Sequence, residues 1–268
     1  MSRPSKAPGH QARKRFGQNF LHDGAVIDRI ITSIRPKAGD RLVEIGPGLG
    51  ALTEPLLDAC DGNLQVVEVD RDLVPILRTK FFMSPNFVIH EADALKFDFN
   101  QLCDAEHPLR VVGNLPYNIS TPLIFHLLQN ITHLKDMHFM LQKEVVERMA
   151  ATPGSGDYGR LSLMCQYYCQ VQPLFIVGPE SFDPAPKVES AIVRLIPHAT
   201  LPHPVKSIDR LQHVITMAFT KRRKTLRNAL SGIVDEGAIE ALGIDPKLRP
   251  ENLTLAQFVA LSEWSAQA

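Results

Sequence analysis

The feature that most constrains the fold is an alternation of short apolar runs with helix-like segments between about residues 24 and 150. Such runs are typical of parallel strands, which are buried on both faces, and the segments between them are typical of the covering helices. The runs are 42–45, 64–69, 87–90, 110–112 and 137–141, and the helix candidates are 26–34, 52–59, 73–81, 122–128 and 145–150. The pattern predicts an α/β chain with a mostly parallel sheet.

The remainder of the chain changes character after the sheet. Residues 171–177 and 188–196 are β-rich and predict a final hairpin-like pair, which brings the expected sheet to seven strands. A proline-containing stretch at 198–204 is typical of a linker. Four short helices are predicted beyond it, at 208–219, 226–233, 236–242 and 254–264. We therefore expect a larger α/β domain over residues 1–200 and a small all-helical domain over 201–268.

Charge is balanced over the whole chain but unevenly distributed. Lys and Arg together number 29, as do Asp and Glu together, so the formal net charge is zero. Two stretches nevertheless carry bases without acids, which is typical of a surface that faces a polyanion, although solvated helix faces show the same pattern. These bases are Arg3, Lys6, Arg13, Lys14 and Arg15 near the start, and Lys221, Arg222, Arg223, Lys224 and Arg227 near the end.

Four cysteines without a CxxC pair indicate neither a disulfide framework nor a zinc site, so a reducing cytoplasm is the expected compartment. We expect Cys165 and Cys169, one helical turn apart, to be buried core thiols. The basic N-terminus lacks the apolar stretch of a signal peptide, and no segment has the length that crosses a bilayer. The sequence therefore predicts a protein without a membrane partner.

A glycine loop follows the first apolar run directly. Gly46, Gly48 and Gly50 let the chain turn sharply and let a ligand approach the backbone, which predicts a nucleotide-like ligand without choosing it. Glu68 ends the second run, where an acid can accept hydrogen bonds from two ribose hydroxyls, and Asp93 follows the third, where an acid can read an adenine amine. NAD and S-adenosylmethionine both contain such a ribose, so an oxidoreductase stays open here.

The fourth run ends in Asn114-Leu115-Pro116-Tyr117, and this tetrapeptide indicates the reaction. The exocyclic nitrogen of adenine is a poor nucleophile because its lone pair is delocalised into the ring. The Asn114 side-chain carbonyl and the Leu115 backbone carbonyl can each accept one amine hydrogen and aim the lone pair at a sulfonium methyl. Pro116 restricts the backbone, and Tyr117 can stack on the base. A strand-terminating turn is the alternative.

A second aromatic ring comes from Phe182, in a loop that Pro184 and Pro186 stiffen. The ring is a candidate to cover the face of the base opposite Tyr117. A hydrophobic lid and a plain core anchor are the alternatives for this residue.

These motifs resemble those of the ribosomal RNA adenine dimethyltransferases, especially the bacterial small-subunit branch that is linked to kasugamycin sensitivity. The resemblance covers nearly the whole chain and rests on residues 15–21, 44–50, 114–118, 182–188 and 222–228. It implies a Rossmann-like methyltransferase fold with a basic N-terminal arm in the larger domain, and an RNA-binding role for the helical one.

The resemblance also implies the cosubstrate, its site and the substrate. The residues that would line the S-adenosylmethionine site are Gln18, Asn19, Leu21, Gly46, Gly48, Glu68, Asp93 and Asn114. The implied substrate is a pair of adjacent adenines in a hairpin loop near the 3′ end of small-subunit (16S) ribosomal RNA, dimethylated late in subunit maturation. Both basic stretches would then hold the RNA backbone. We expect no metal, because the sulfonium is already a good leaving group, and we expect a monomer.

Three other interpretations stay open from the sequence. An NAD-dependent oxidoreductase would use the same glycine loop but has no role for residues 114–117. A non-catalytic RNA-binding or assembly factor could keep the fold without the reaction. A DNA adenine methyltransferase or a large-subunit resistance methylase would share the pocket chemistry and differ in substrate.

Overall fold

The computed structural model describes residues 18–116 and 118–264 of the 268-residue chain. The chain forms two compact units. The first runs through Val146 and returns for Gln172–Pro197, whereas the second comprises Glu147–Val171 and the chain from His198 onward. The second unit thus takes a segment from the middle of the chain, which the expected boundary at residue 200 had assigned to the larger domain.

The first unit is built on a seven-stranded sheet. The strands of the chain are β1 (Phe20–Leu21), β2 (Arg41–Ile45), β3 (Leu64–Glu68), β4 (Phe87–Glu91), β5 (Leu109–Asn114), β6 (Leu134–Gln142), β7 (Cys169–Val177), β8 (Phe182–Asp183) and β9 (Ser190–Pro197). The order in the sheet is β4-β3-β2-β5-β6-β9-β7. The strands from β4 to β6 pair in parallel, and β9 is antiparallel to β6. The predicted α/β class with a seven-stranded, mostly parallel sheet is confirmed.

The central strands are continuous apolar runs because both of their faces are buried. Leu42–Ile45 of β2 is buried throughout, and so are the first five residues of β5. Because β2, β3, β4 and β5 are parallel, the loops that follow them lie at one edge of the sheet, which we term the carboxyl edge. The opposite edge, where these strands begin, is termed the amino edge.

The helices correspond closely to those expected, with two differences. They are α1 (Gly24–Ile34), α2 (Thr53–Ala59), α3 (Leu73–Lys80), α4 (Ser120–Asn130), α5 (Lys143–Ala150), α6 (Arg160–Tyr168), α7 (Ile208–Thr220), α8 (Leu226–Ala229), α9 (Glu236–Ala241) and α10 (Leu255–Trp264). Helix α6 was not among the expected helices, because its residues are buried around most of the helix and give no amphipathic period. The helix predicted over 226–233 ends at Ala229, and Gly232 beyond it has a φ of 85°.

The first unit also contains a short ribbon that the sequence did not predict. Strand β1 pairs antiparallel with β8, and Leu21 lies opposite Phe182. The ribbon is extended on the next residues, where the His22 N–H donates to the Ser181 carbonyl at 3.0 Å. Two-residue strands carry no periodicity, so only the folded chain reveals that the N-terminal segment reaches the Phe182 loop.

A buried ion network occupies the amino edge. The Arg110 guanidinium donates to both carboxylate oxygens of Asp136 at 2.8 and 3.1 Å, and to Asp40 at 2.7 Å. It also donates to the carbonyls of Ile34 and Arg35, which are left open at the end of α1. One arginine therefore connects the start of β5, the neighbouring strand β6 and the last turn of α1.

The second unit has a core of helices and aromatic side chains. The buried Tyr158 hydroxyl donates to the Leu253 carbonyl at 3.0 Å, and its ring meets Phe219 edge-to-face with centroids 6.3 Å apart. Phe219 in turn lies 5.9 Å from Phe258 of α10. Ser207 begins α7 by accepting a hydrogen bond from the Arg210 N–H.

The described part of the chain has no helix that could cross a membrane. All four cysteines are free, and Cys165 and Cys169 are buried, which confirms their prediction as core thiols. Burial raises the pKa of Cys169 to about 12, so this thiol is not a nucleophile at neutral pH.

Candidate active site

The glycine loop between β2 and α2 offers bare backbone at the carboxyl edge. Gly46 and Gly48 have φ values of 66° and 59°, which favour glycine over any residue with a Cβ. The Gly46 N–H donates to the Val67 carbonyl at 2.9 Å and so ties the loop to the neighbouring strand. A Cβ on Gly48 would lie 3.2 Å from the Phe20 ring, so the N-terminal segment packs directly on this loop.

Glu68 lies at the end of β3, where the sequence placed it. Its carboxylate accepts hydrogen bonds from the backbone N–H of Asp70, at 2.8 Å, and from those of Gly48 and Val69. Burial raises the pKa of Glu68 above its usual value, although these backbone donors oppose the shift. The structure brings this acid and the glycine loop together, and the ribose-binding role stays a prediction.

Asp93 follows β4 at the next strand end. Its Oδ1 accepts a hydrogen bond from the Leu95 N–H at 3.0 Å, and its carbonyl accepts one from Lys96. The side chain therefore stabilises the turn after the strand, and it is only half-buried. That position leaves the adenine-reading role open as a prediction.

Asn114 ends β5 beside the glycine loop. Its side-chain Nδ2 donates to the backbone carbonyl of Asn19 at 3.1 Å, which leaves Oδ1 as the acceptor end of the amide. A Cβ on Gly46 would lie 4.0 Å from the Asn114 backbone oxygen, so the loop and this residue are neighbours. Gly113 permits the approach, because a Cβ there would come within 2.5 Å of the Ile45 carbonyl oxygen.

The residues after Asn114 are held by backbone hydrogen bonds. Leu115 is buried, and its N–H donates to the Met140 carbonyl at 3.2 Å. The carbonyl of Pro116 accepts from the Ile119 N–H at 3.1 Å, which begins the turn into α4. Tyr117, the predicted stacking residue, lies outside the described residues.

Phe182 is placed in the hydrophobic core of the first unit. The residue is 4% exposed and belongs to the same buried cluster as Leu21, Ile30 and Ile34. This position favours the core-anchor alternative that the sequence analysis left open for it. The base-stacking role stays a prediction, and it requires the ring to offer one face from within this packing.

The segment of residues 18–21, which we term the crossing segment, runs along the carboxyl edge. Gln18 Nε2 donates to Asp70 Oδ2 at 2.9 Å just beyond β3. The Asn19 carbonyl receives the Asn114 amide at the end of β5, and Leu21 pairs with Phe182. The structure therefore brings Gln18, Asn19 and Leu21 to the same edge as the glycine loop. The resemblance placed these residues at the cosubstrate site.

Three buried residues at this edge were missed by the sequence analysis. Glu44 accepts a hydrogen bond from the Thr53 hydroxyl at 2.6 Å, which ties the end of β2 to the start of α2 across the glycine loop. Burial raises the pKa of Glu44 to about 7, with Glu68 nearby adding to the shift. Thr53 is the second missed residue and Asp70 is the third. The residues that these three bind are distant in the sequence or belong to the glycine motif, so no hydrophobic periodicity indicates them.

The basic residues divide into engaged and open side chains. Arg222 Nε donates to Glu251 at 2.6 Å, and its Nη2 donates to the carbonyls of Gly156 and Ser155 within the second unit. Arg227 pairs with Glu236 at 3.1 Å. Three side chains of the run are exposed and have no ion pair or hydrogen bond to any described residue, namely Lys221, Arg223 and Lys224. The predicted RNA contacts Arg13, Lys14 and Arg15 lie outside the described residues.

The carboxyl edge thus combines bare glycine backbone, three buried carboxyls and one oriented amide. Across residues 18–116 and 118–264, no three His, Cys, Asp or Glu side chains cluster as metal ligands. The groups present are hydrogen-bond acceptors and backbone donors, which bind hydroxyls and amines and orient them. The arrangement suits a nucleoside-like ligand whose reacting group is positioned by hydrogen bonds.

Comparison with known proteins gives similarity over nearly the full chain. A family model described as ribosomal RNA adenine dimethylase matches residues 9–267. The ribosomal RNA small subunit methyltransferase A of Marinobacter nauticus is 63% identical over 259 residues, which covers 97% of this chain and 93% of that protein. Two solved structures are each 26% identical. A dimethyladenosine transferase from Plasmodium falciparum has a TM-score of 0.76 and covers 90% of this chain and 95% of its own. The 23S rRNA methyltransferase ErmE has a TM-score of 0.71, with 93% and 100% covered.

Proposed function

The chain belongs to the ribosomal RNA adenine dimethylase family, and from that premise we propose that it dimethylates adenine in small-subunit (16S) ribosomal RNA with S-adenosylmethionine as methyl donor. The small-subunit assignment is supported by the name of the Marinobacter nauticus relative, which is 63% identical to this chain. The target is a pair of adjacent adenosines in a hairpin loop near the 3′ end. The enzyme acts in the cytoplasm as a monomer, on an immature small subunit.

The observation that carries this proposal is the orientation of the Asn114 amide. Its Nδ2 is engaged by the Asn19 carbonyl, so Oδ1 is the atom that can accept a hydrogen from the adenine amine. The Leu115 carbonyl supplies the second acceptor. When both amine hydrogens are held, the nitrogen lone pair is drawn out of conjugation and turned toward the methyl group.

The carboxyl edge fits the methyl donor by its chemistry. Bare backbone at Gly46 and Gly48 admits close approach, and the Glu68 carboxylate can exchange its backbone donors for ribose hydroxyls. Asp93 would read the adenine amine of the cosubstrate. S-adenosylmethionine supplies an electrophilic methyl group on a sulfonium. The sulfur group that leaves after the transfer needs neither a proton nor a metal. The amine proton leaves to water after the new N–C bond has formed, so no side chain is assigned as a general base.

The second unit would hold the RNA backbone. Lys221, Arg223 and Lys224 are exposed and suited to phosphate contacts. Tyr117 and Phe182 would flank the extruded base, with base stacking contributing about 1–3 kcal/mol per ring.

The experiment uses the purified protein with small subunits from cells that lack this gene and with tritiated S-adenosylmethionine. Mass spectrometry of the RNA should find two methyl groups on each of two adjacent adenines near the 3′ end. The Asn114→Ala variant, purified in parallel, controls for contaminating activity. Label that appears only in large-subunit RNA or in DNA would contradict the substrate, and no transfer to any nucleic acid would contradict the reaction.

A further inference from the structure

Asp70 joins the cosubstrate side of the carboxyl edge to the crossing segment. The residue is 1% exposed, and its N–H donates to Glu68 Oε1 at 2.8 Å. Its two carboxylate oxygens have separate partners, since Oδ1 accepts from the Asp72 N–H at 3.2 Å and Oδ2 accepts from Gln18 Nε2 at 2.9 Å. A buried carboxylate whose two oxygens both accept hydrogen bonds has a fixed orientation. It therefore also fixes the side chain that is bound to it, here that of Gln18.

Gln18, which Asp70 binds, immediately precedes the hydrogen-bond partner of Asn114. That partner is Asn19, whose backbone carbonyl accepts a hydrogen bond from Asn114 Nδ2 at 3.1 Å. On the other side of Asn19, β1 is fixed by pairing with β8. The Asn19 carbonyl is therefore held between two attachment points, one at Asp70 and one at the ribbon.

The direction of the Asn114 amide decides what it offers to an adenine amine. A side-chain amide can turn over by 180°, which exchanges an acceptor oxygen for a donor NH₂ of nearly the same shape. An NH₂ facing the adenine amine would be repelled by it and would leave its hydrogens unheld. A carbonyl fixed at Asn19 rejects that turned-over state, because two oxygens would then face each other.

We propose that Asp70 is a positioning residue for methyl transfer, which holds Gln18, and through it the Asn19 carbonyl, so that Asn114 presents its oxygen to the target amine. The inference deepens the proposed function and rests on it, since it takes Asn114 as an acceptor for the substrate amine. Asp70 itself touches neither substrate nor methyl group. Asp70 contributes only by keeping Gln18, Asn19 and Asn114 in their relative positions.

The test reverses the polarity of the Gln18–Asp70 hydrogen bond. Gln18→Glu sets a second carboxylate against Asp70, and we expect kcat to fall by about tenfold, the cost of one broken, partly buried hydrogen bond. Asp70→Asn lowers kcat by less than about threefold, because the Gln18 amide can turn over and accept from the new NH₂. The paired variant Gln18→Glu/Asp70→Asn restores a donor facing an acceptor and recovers kcat to within about threefold of the unmodified protein.

Separate readouts distinguish positioning from a direct role at the cosubstrate. Because Gln18 lies at the predicted cosubstrate site, kcat is measured at saturating S-adenosylmethionine, and the Kd of each variant is measured separately by equilibrium dialysis. A loss of positioning then appears in kcat, whatever the change in Kd. Thermal unfolding of each variant shows whether the fold is retained. Gln129→Glu, an exposed position on α4, carries the same change in charge and serves as the matched control.

Failure to recover kcat in the paired variant would overturn the inference, and so would a loss confined to the S-adenosylmethionine Kd. The proposed function is tested independently by Asn114→Ala. Retained kcat in Asn114→Ala would remove the acceptor role itself. Lost kcat in Asn114→Ala, combined with no recovery in the paired variant, would leave the proposed function standing and would discard only the role of Asp70.

Discussion

The two edges of the sheet both bury charged side chains, but they do so in opposite ways. At the amino edge, the five N–H donors of Arg110 all have partners, two of them on Asp136. At the carboxyl edge, Glu44 and Glu68 are also buried, and neither forms an ion pair with any described residue. Their hydrogen bonds come from a hydroxyl and from backbone N–H groups.

The pKa values follow this contrast. Burial raises the pKa of Asp40 at the amino edge, but hydrogen bonds and charges from Arg110 and Lys135 outweigh it and hold the value below normal. At the carboxyl edge, Lys80 lowers the pKa of Glu44 only as the smallest influence on it, and no described cation acts on Glu68, so burial raises both pKa values. Removing one partner from a saturated network is costly to the fold, whereas buried acids that hold only uncharged donors can exchange those donors for the hydroxyls of a ligand.

The largest expected effect comes from breaking the Arg110 hydrogen-bond network at the amino edge. Arg110→Met would remove the buried cation that Asp136 and Asp40 share and leave them only the more exposed Arg194 and Lys135. We expect the free energy of unfolding in urea to fall by about 3–5 kcal/mol. Arg78→Met removes an exposed arginine of α3 and controls for the loss of positive charge. Methyl transfer by the folded fraction should persist. A change below about 1 kcal/mol would show that the network contributes no more than a surface pair.

The next largest effect concerns catalysis at the carboxyl edge. Asn114→Ala should lower kcat on the order of 10²-fold, the usual cost of removing one positioned polar group from an active site. The free energy of unfolding should change little, in contrast to Arg110→Met. Asn63→Ala, an exposed asparagine, is the matched control. An equal loss of kcat and of S-adenosylmethionine affinity would mean that Asn114 only maintains the fold of the edge.

A smaller effect should appear in the pH dependence of stability. Glu44 has a folded pKa of about 7 against an ordinary value of 4.5, so its ionised form is disfavoured in the folded state. The destabilisation is therefore fully present above about pH 7 and is relieved as the pH falls toward 4.5. Glu44→Gln should be more stable than the unmodified protein at pH 8, by roughly 1–2 kcal/mol.

Denaturation of both proteins at pH 8 and pH 5 measures this difference. The advantage of Glu44→Gln should shrink at pH 5, where glutamate in the folded state is neutral. A variant that is destabilised equally at both pH values would indicate that the Thr53 hydrogen bond requires a carboxylate.

The smallest expected effect concerns the basic run of the second unit, in which some side chains form ion pairs and others are exposed without one. Arg223→Ala and Lys224→Ala should each reduce the slope of log K for RNA binding against log salt by about 0.7–0.9, one phosphate contact apiece. Arg222→Ala should instead lower the unfolding midpoint, because Arg222 binds Glu251 and the Gly156 carbonyl. Fluorescence anisotropy with a labelled RNA hairpin measures the slope. Unchanged slopes for both open residues would remove them from the RNA surface.

The sequence predicts those parts of the site that follow from strand ends. The glycine loop, Glu68 and Asn114 each close an apolar run, so a parallel sheet must bring them to one edge. The crossing segment gives no such signal: Gln18 and Asp70 are 52 residues apart, and their bond depends on the folded path of the chain. Arg222 shows the opposite limit, because a run of bases does not reveal which of them already hold a carboxylate and carbonyls.

The central claim is that Asn114 presents its side-chain oxygen to the target amine beside the glycine loop. It is tested most directly by a crystal structure with S-adenosylhomocysteine and an RNA hairpin that carries unpaired adenines. We expect the adenine N6 within about 3.2 Å of Asn114 Oδ1, with Nδ2 still directed at the Asn19 carbonyl. An adenine bound with N6 beyond hydrogen-bonding range of Asn114, or held by its NH₂ group, would contradict the account.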